Sequence, residues 1–309
     1  TPGYFDFVGE MIEALRAVDT AVITLSGKSG VKVGTEKAWE YVNTLNIPRA
    51  FFINKLDREN SDFEKVLNQL KDSFGMPVVP IQYPIGKEEE FKGVINLIDK
   101  KARIFNPKNE KMEVSEIPTE LLTKVDEYRK MIMESVAETD EVLLEKYLND
   151  GELTNSELYN GIINGAREGE IAPVLCGSAL KCIGINTFLE DIMECFPCPK
   201  ECREIEAINT GNNEPINIKM DENKPFSAFV FKTVADPFVG KLSIFKVMTG
   251  KIKSDSVVYN VNKKKQEKFS NLYVVRGKDE ISAKEIVAGD IEAVPKLQYT
   301  SDRKSTRLN

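Results

Sequence analysis

Apolar residues recur along the chain with two periods, and the changes of period divide it. Phe7, Val8, Met11, Ile12, Leu15 and Val18 repeat at helical spacing. Ala21–Leu25 is a short apolar run of the buried-strand kind, and Gly27 to Gly34 reads as loop. Thr35 can cap a helix carrying Ala38, Trp39, Val42 and Leu45, stopped ahead of Pro48. Ala50–Ile53 is a second buried strand. Asp62 starts a helix with Phe63, Val66, Leu67, Leu70 and Phe74 on one face, and Val78–Ile81 is a third strand. Strands alternating with helices predict an α/β fold, a parallel sheet with crossover helices.

The alternation then breaks. Phe91–Ile98 and Lys101–Phe105 have the pattern of an antiparallel hairpin. Helical spacing follows at about 118–137, 140–149 and 155–167. Ala172–Cys176 resumes the buried-strand style, with a helix at about 184–195. Residues 82–170 therefore read as an inserted α+β subdomain in a sheet domain spanning 1–203. Thr210–Pro215 is polar and turn-forming, so 204–223 reads as a linker. From 224 to 301 the pattern changes to short strands, at 226–234, 242–249, 256–260, 268–275 and 289–294. Gly240, Gly250, Gly277 and Gly289 punctuate them, which predicts a small antiparallel β-barrel. Residues 302–309 have no apolar period and read as a non-native tail. That tail, and a start inside Thr1-Pro2-Gly3, give the expectation of a fragment of a longer gene product.

Composition narrows the chemistry. The 309 residues contain no histidine, so histidine bases and histidine metal ligands are excluded. Five cysteines in a chain of this length do not make a disulfide scaffold, and a cytoplasmic setting is expected. Cys195, Cys198 and Cys202 with Cys182 could be drawn as a zinc site. The helical face that Cys195 shares with Ile192 and Phe196 favours packing instead, and no metal ligand is assigned. No apolar run reaches the roughly 18 residues of a membrane span, so no membrane partner is expected.

The net charge of −7 argues against a generic nucleic-acid coat, and no DNA partner is expected. Charge is uneven, however. Residues 1–223 carry 25 basic and 40 acidic side chains, whereas 224–301 carry 14 and 8. The basic segment 224–301 either faces phosphate or carries solvated lysines. The run Lys263–Lys268 is open to the same two readings, a solvated hairpin tip or a phosphate contact.

Asn54-Lys55-Leu56-Asp57 carries the sharpest chemistry. It follows the strand at 50–53, at the carboxyl end where open α/β sheets bind ligands. An asparagine there can bond a purine N7 and six-position oxygen. The aspartate can accept from the N1–H and exocyclic amine that guanine has and adenine lacks. The lysine stem can lie over the ring. Adenine would leave buried polar groups unpaired, at roughly 1–3 kcal/mol each. Alone, the tetrapeptide also reads as a polar turn. A second feature weighs against that: Cys176-Gly177-Ser178-Ala179-Leu180 follows the strand at 172–176. Its backbone N–H groups can face the guanine six-position oxygen, and Ser178 can brace the aspartate.

With Thr1-Pro2-Gly3-Tyr4, these motifs stand in the order of the latter three guanine-nucleotide motifs of translational GTPases. Residues 1–301 resemble elongation factor G. Further matches are Pro48-Arg49, Arg58 and Asp236-Pro-Phe-Val-Gly-Lys-Leu242, and the insertion at 82–170 falls where elongation factor G carries an extra subdomain. The resemblance implies a partial P-loop-NTPase-type sheet domain and a translation-factor β-barrel. It implies GTP or GDP as ligand, with Asn54, Lys55, Asp57, Ser178, Ala179 and Leu180 around the base and Gly3 near the γ-phosphate. It further implies Mg²⁺ in the intact parent and the ribosome, both rRNA and ribosomal proteins, as partner. The implied function is a ribosome-dependent GTPase of translation elongation. The alternative is a non-hydrolysing ribosome-binding module with a vestigial pocket.

Two departures qualify the resemblance. Residues 1–309 contain neither the Gly-rich phosphate-binding loop with its Lys and Ser/Thr nor a first switch with its magnesium-binding threonine. The chain by itself is therefore expected to bind GTP poorly and not to turn it over. Tyr4 stands where the family has a water-orienting histidine. A phenol can hydrogen-bond a water but cannot carry an imidazolium charge.

Overall fold

The computed structural model describes residues 1, 3–75, 78–109, 111–202, 204–209, 211–212, 214–236 and 240–300. Pro2, Thr210, Asn213, Pro237–Val239 and the tail at 302–309, all used in the sequence reading, lie outside the described residues. The chain forms two compact units: Asp19–Pro197, and Thr1–Val18 together with the chain from Cys198 onward.

In the second of these, α1 spans Val8–Ala17. In the first, β1 (Ala21–Ser26), β2 (Arg49–Asn54), β3 (Val78–Pro80) and a later strand make a four-stranded parallel sheet. Two helices join these strands, α2 (Val33–Thr44) and α3 (Phe63–Phe74). Asp62 caps α3, its Oδ1 accepting the Lys65 N–H at 3.0 Å. Thr35 is not the cap of α2. It lies within the first turn, and its Oγ1 accepts the N–H of the cap residue Lys32 at 3.2 Å. The helix starts three residues earlier than a Thr35 cap would give, because Val33, Gly34 and Thr35 are themselves helical.

The expected hairpin is part of a larger sheet. Strands β4 (Gln82–Ile85), β5 (Gly93–Asn96), β6 (Lys101–Asn106) and β7 (Lys111–Ser115) form an antiparallel meander. Helices α4 (Leu122–Ala137), α5 (Glu141–Asp150) and α6 (Asn155–Glu168) follow. The chain then re-enters the parallel sheet as β8 (Ala172–Cys176), between β2 and β3, and leaves through α7 (Ile185–Cys195). The sheet order is β1-β2-β8-β3. β2 and β8 are buried along nearly all their length, as expected of strands covered on both faces. Their core includes Phe51, stacked with Trp39 and Phe74 at centroid distances of 5.4 Å each.

The other unit is antiparallel and β-rich. Within 204–223, β9 (Ile205–Ile208) and β10 (Pro215–Ile218) pair as a hairpin around the polar turn. Next come β11 (Ser227–Asp236), β12 (Gly240–Thr249), β13 (Lys251–Lys253), β14 (Ser256–Asn260) and β15 (Lys265–Phe269). β16 (Leu272–Arg276), β17 (Asp279–Ala283), β18 (Glu285–Val287) and β19 (Ile291–Pro295) complete it. A five-stranded sheet has the order β11-β12-β19-β16-β17. The single strand expected at 268–275 is two strands, because β15 pairs with β14 whereas β16 pairs with β17 and β19. Phe245, Val247, Phe269, Leu272 and Val294 are central to the core. α1 packs on β11, where the Arg16 guanidinium lies 4.9 Å from the Phe229 ring centre and Glu10 pairs with Lys232.

Candidate functional site: two loops at the carboxyl end of the parallel sheet

β2 and β8 are neighbours in register, with Ile53 opposite Cys176. The loops that leave them, beginning at Asn54 and Gly177, consequently emerge side by side. Three hydrogen bonds join the loop after β8 to β2 and the loop that follows it. Gly177 donates its N–H to the Ile53 carbonyl at 3.0 Å, and Leu56 donates to the Gly177 carbonyl at 3.3 Å. Ala179 donates to Asn54 Oδ1 at 2.9 Å. The same Oδ1 accepts the Lys55 N–H at 2.7 Å. With its oxygen engaged twice by backbone donors, the Asn54 amide has its Nδ2 left to offer a base.

Lys55 is exposed and has a φ of +66°. This left-handed conformation costs a lysine roughly 1–2 kcal/mol and belongs to tight, functionally constrained turns. It lets Leu56 turn into the core while Asp57 points toward a cleft. Asp57 is only 6% exposed. Its Oδ1 is buried without a hydrogen-bond partner, and Arg58 Nε stands 3.8 Å from Oδ2, too far for a hydrogen bond. Unpaired burial of this kind costs roughly 1–3 kcal/mol, which a ligand with N–H donors would recover. The carboxylate therefore fits a guanine edge.

Ser178 is fully buried. Its Oγ accepts the Lys181 N–H at 3.3 Å, and its backbone pairs both ways with Ile183, at 2.9 and 3.1 Å. The serine shapes its own loop, then, while the expected brace on Asp57 is absent and the Ala179 N–H serves Asn54. Gly177 has no room for a side chain, since a Cβ would stand 2.7 Å from the Ile183 carbonyl oxygen. Leu180 is 75% exposed.

The cleft holds about 950 Å³, lined by Lys28, Lys55, Asp57, Arg58 and Lys87 with Glu59 and Glu88–Glu90, and not by Asn54 or residues 177–180. The sequence reading missed Lys28. A signal for it existed, because Ser26 ends β1 directly opposite Asn54 and the following loop must open on the same side. Gly3 and Tyr4 belong to the other unit. Gly3 is exposed, Tyr4 is 78% exposed, and the Tyr4 carbonyl accepts the Phe7 N–H at 2.9 Å.

Residues 1–198 match the family described as the elongation factor Tu GTP binding domain, and residues 225–303 match elongation factor G domain 2. The chain belongs to the elongation-factor-G-like translational GTPases. A crystal structure from Thermus thermophilus is similar to it, with 31% sequence identity and a TM-score of 0.82. The likeness covers 100% of this chain and 45% of that one, so the chain spans less than half the length of this relative.

The family's sheet domain and its β-rich domain account for the two styles of strand. The first match is to a family described as a GTP binding domain. In the β-rich domain, the Lys263–Lys268 run is less of a tip than its composition suggests. Asn260 pairs with Lys265, so the turn is 261–264 and Lys265 and Lys268 lie in β15. Lys268 pairs with Asp255 at 2.7 Å, and Lys265 lies 4.4 Å from the Tyr299 ring centre. Among the described residues no helix is long and apolar enough to cross a membrane.

Proposed function

We propose that the chain is the base-reading part of a ribosome-dependent GTPase acting in translation elongation. The observation that carries this reading is the buried, unpartnered Asp57 Oδ1 beside an Asn54 held by both loops. Asp57 accepts from guanine N1–H and the exocyclic amine, and Asn54 Nδ2 donates to N7 and the six-position oxygen. The Lys55 stem covers the ring face. Ser178, Ala179 and Leu180 shape the second loop, and Ala179 acts by orienting Asn54. Adenine has no donor for Asp57 to accept at the corresponding position, so it leaves the buried carboxylate unpaired.

In the intact parent, water attacks the γ-phosphate of GTP, breaking its bond to the β-phosphate bridge and releasing phosphate and GDP. Gly3 and Tyr4 are assigned to the switch that meets the γ-phosphate, Tyr4 as a hydrogen-bonding partner for the water. Mg²⁺ is assigned to the phosphates of the intact parent, with none of the side chains named here as its ligand. The ribosome, through rRNA and ribosomal proteins, is the proposed partner, and the cytoplasm the proposed location.

The test is Asp57→Asn in the intact gene product, with GDP and xanthosine diphosphate competed against a fluorescent guanine nucleotide. An amide at this position matches the xanthine edge, so preference should move from guanine toward xanthine. Unchanged preference would remove Asp57 from the site.

A further inference from the structure

Behind the loop that carries Ser178 and Ala179 lies a polar cluster that the base-reading residues do not touch. β3 pairs with β8 only as far as Pro80 opposite Val174, followed by the Ile81 N–H bonding the Val174 carbonyl at 3.0 Å. At the next residue the chain turns away, and Gln82 pairs with Asn96 in the meander. Cys176 thereby loses a backbone acceptor. The Gln82 side chain replaces it, its Oε1 accepting the Cys176 N–H at 2.9 Å. Gln82 Nε2 donates to Asp191 Oδ2 at 2.5 Å, and Asn96 Nδ2 donates to Asp191 Oδ1 at 2.7 Å. Gln82 and Asn96 are fully buried, and Asp191 is 1% exposed.

Cys176 ends β8 and Asp191 lies on α7, so the loop 177–184 runs between two elements that one glutamine holds. We propose that Gln82 and Asp191 are positioning residues for guanine recognition. They fix both ends of this loop so that the Ala179 N–H reaches Asn54. The inference rests on the base-reading role proposed above. It also gives the inserted meander, through Gln82 of β4 and Asn96 of β5, a direct hold on the nucleotide loop. The amide suits the task because it accepts at one end and donates at the other, and both neighbours require that polarity.

The experiment compares GDP and ADP affinity, by competition against a fluorescent nucleotide, in the intact gene product and its variants, each with a thermal melt. Gln82→Met keeps the length of the side chain but offers Cys176 no oxygen acceptor and Asp191 no donor. It should lower GDP affinity about tenfold and leave ADP affinity in place, so the guanine-to-adenine ratio falls about tenfold. The double variant Gln82→Glu with Asp191→Asn can remake every bond. The glutamate accepts from Cys176 and from the new amide, whose oxygen accepts from Asn96. Its ratio should return to within about twofold of the parent.

An unchanged ratio in Gln82→Met would overturn the proposal, as would equal losses for both nucleotides that merely follow a lower melting temperature. If Gln82→Met does not fold, the double variant decides. A folded double variant with a collapsed ratio refutes the positioning role, and one with the parental ratio supports it. Asp57→Asn, run alongside, separates the two failures. If it leaves base preference unmoved, the site itself is wrong; if it moves preference and the Gln82 variants do not, only the positioning role is lost.

Discussion

The Asn54 side-chain oxygen accepts the Ala179 backbone N–H at 2.9 Å, joining residues 125 positions apart. One amide thereby orders two loops. The bond exists because β2 and β8 are adjacent and parallel, so that their carboxyl ends open on one side of the sheet.

Removing that amide should loosen both loops. Asn54→Ala leaves the Lys55 and Ala179 N–H groups without their acceptor. A stability loss of about 1–2 kcal/mol is expected from urea unfolding. Hydrogen exchange at Ala179 should quicken. Unaltered exchange there would mean that the bond does not hold the loop.

Gly177 tests the close approach of the second loop to its neighbours. In Gly177→Ala the new methyl would lie 2.7 Å from the Ile183 carbonyl oxygen and 3.0 Å from Phe52 Cζ. Relief requires shifting backbone, so a destabilisation of about 1–3 kcal/mol is expected. Denaturant midpoints compared at constant slope would measure it. A neutral substitution would show that the loop moves freely.

Asp191 links stability to pH. Burial pushes its carboxyl up to about 7, against the Gln82 and Asn96 hydrogen bonds and the Arg103 charge, which favour the anion; the Glu194 charge adds to the rise. The folded state therefore binds a proton that the unfolded state has released above about pH 4. From this group, stability is greatest at low pH, falls as pH rises from about 4 to 7 and is level above. Each unit of displacement corresponds to about 1.4 kcal/mol. Asp191→Asn should remove this slope, so that the variant gains on the parent between pH 5 and pH 8 in parallel urea titrations. Parallel curves would show that Asp191 is ionised across the range.

Tyr4→His in the intact gene product should raise ribosome-stimulated GTP hydrolysis, because an imidazole can orient the water and also carry charge near the γ-phosphate. Phosphate release measured with and without ribosomes reads the effect. No gain would mean that Tyr4 does not limit the rate.

Much of this is legible along the chain. Asn54–Asp57 and Gly177–Leu180 are contiguous and each follows a buried apolar run, so local pattern alone locates them at strand ends. Other features leave no such trace. β7 is largely exposed, so its residues lack the apolar alternation that marks a half-buried strand. β4 contains Pro84, a residue that counts against a strand. Gln82 and Asn96 are single polar residues in apolar surroundings and Asp191 adjoins Glu190, and nothing local distinguishes a buried, bonded side chain from an exposed one. The partner of Thr35 escapes local pattern for the same reason, since a side chain's partner depends on where the neighbouring element begins.

By itself the sequence determined the alternation of strand and helix, the break at about residue 82 and the short strands from 224 on, but not the hairpin of β9 and β10 ahead of them. These follow from periodicity and turn chemistry, which act over a few residues. The tertiary structure alone decided that β8 lies between β2 and β3, that Asn54 meets Ala179, and that Gln82 supplies the acceptor that Cys176 would otherwise lack. Strand order and long-range hydrogen bonds come from packing among distant segments, where each buried polar group must find a partner that no local pattern specifies.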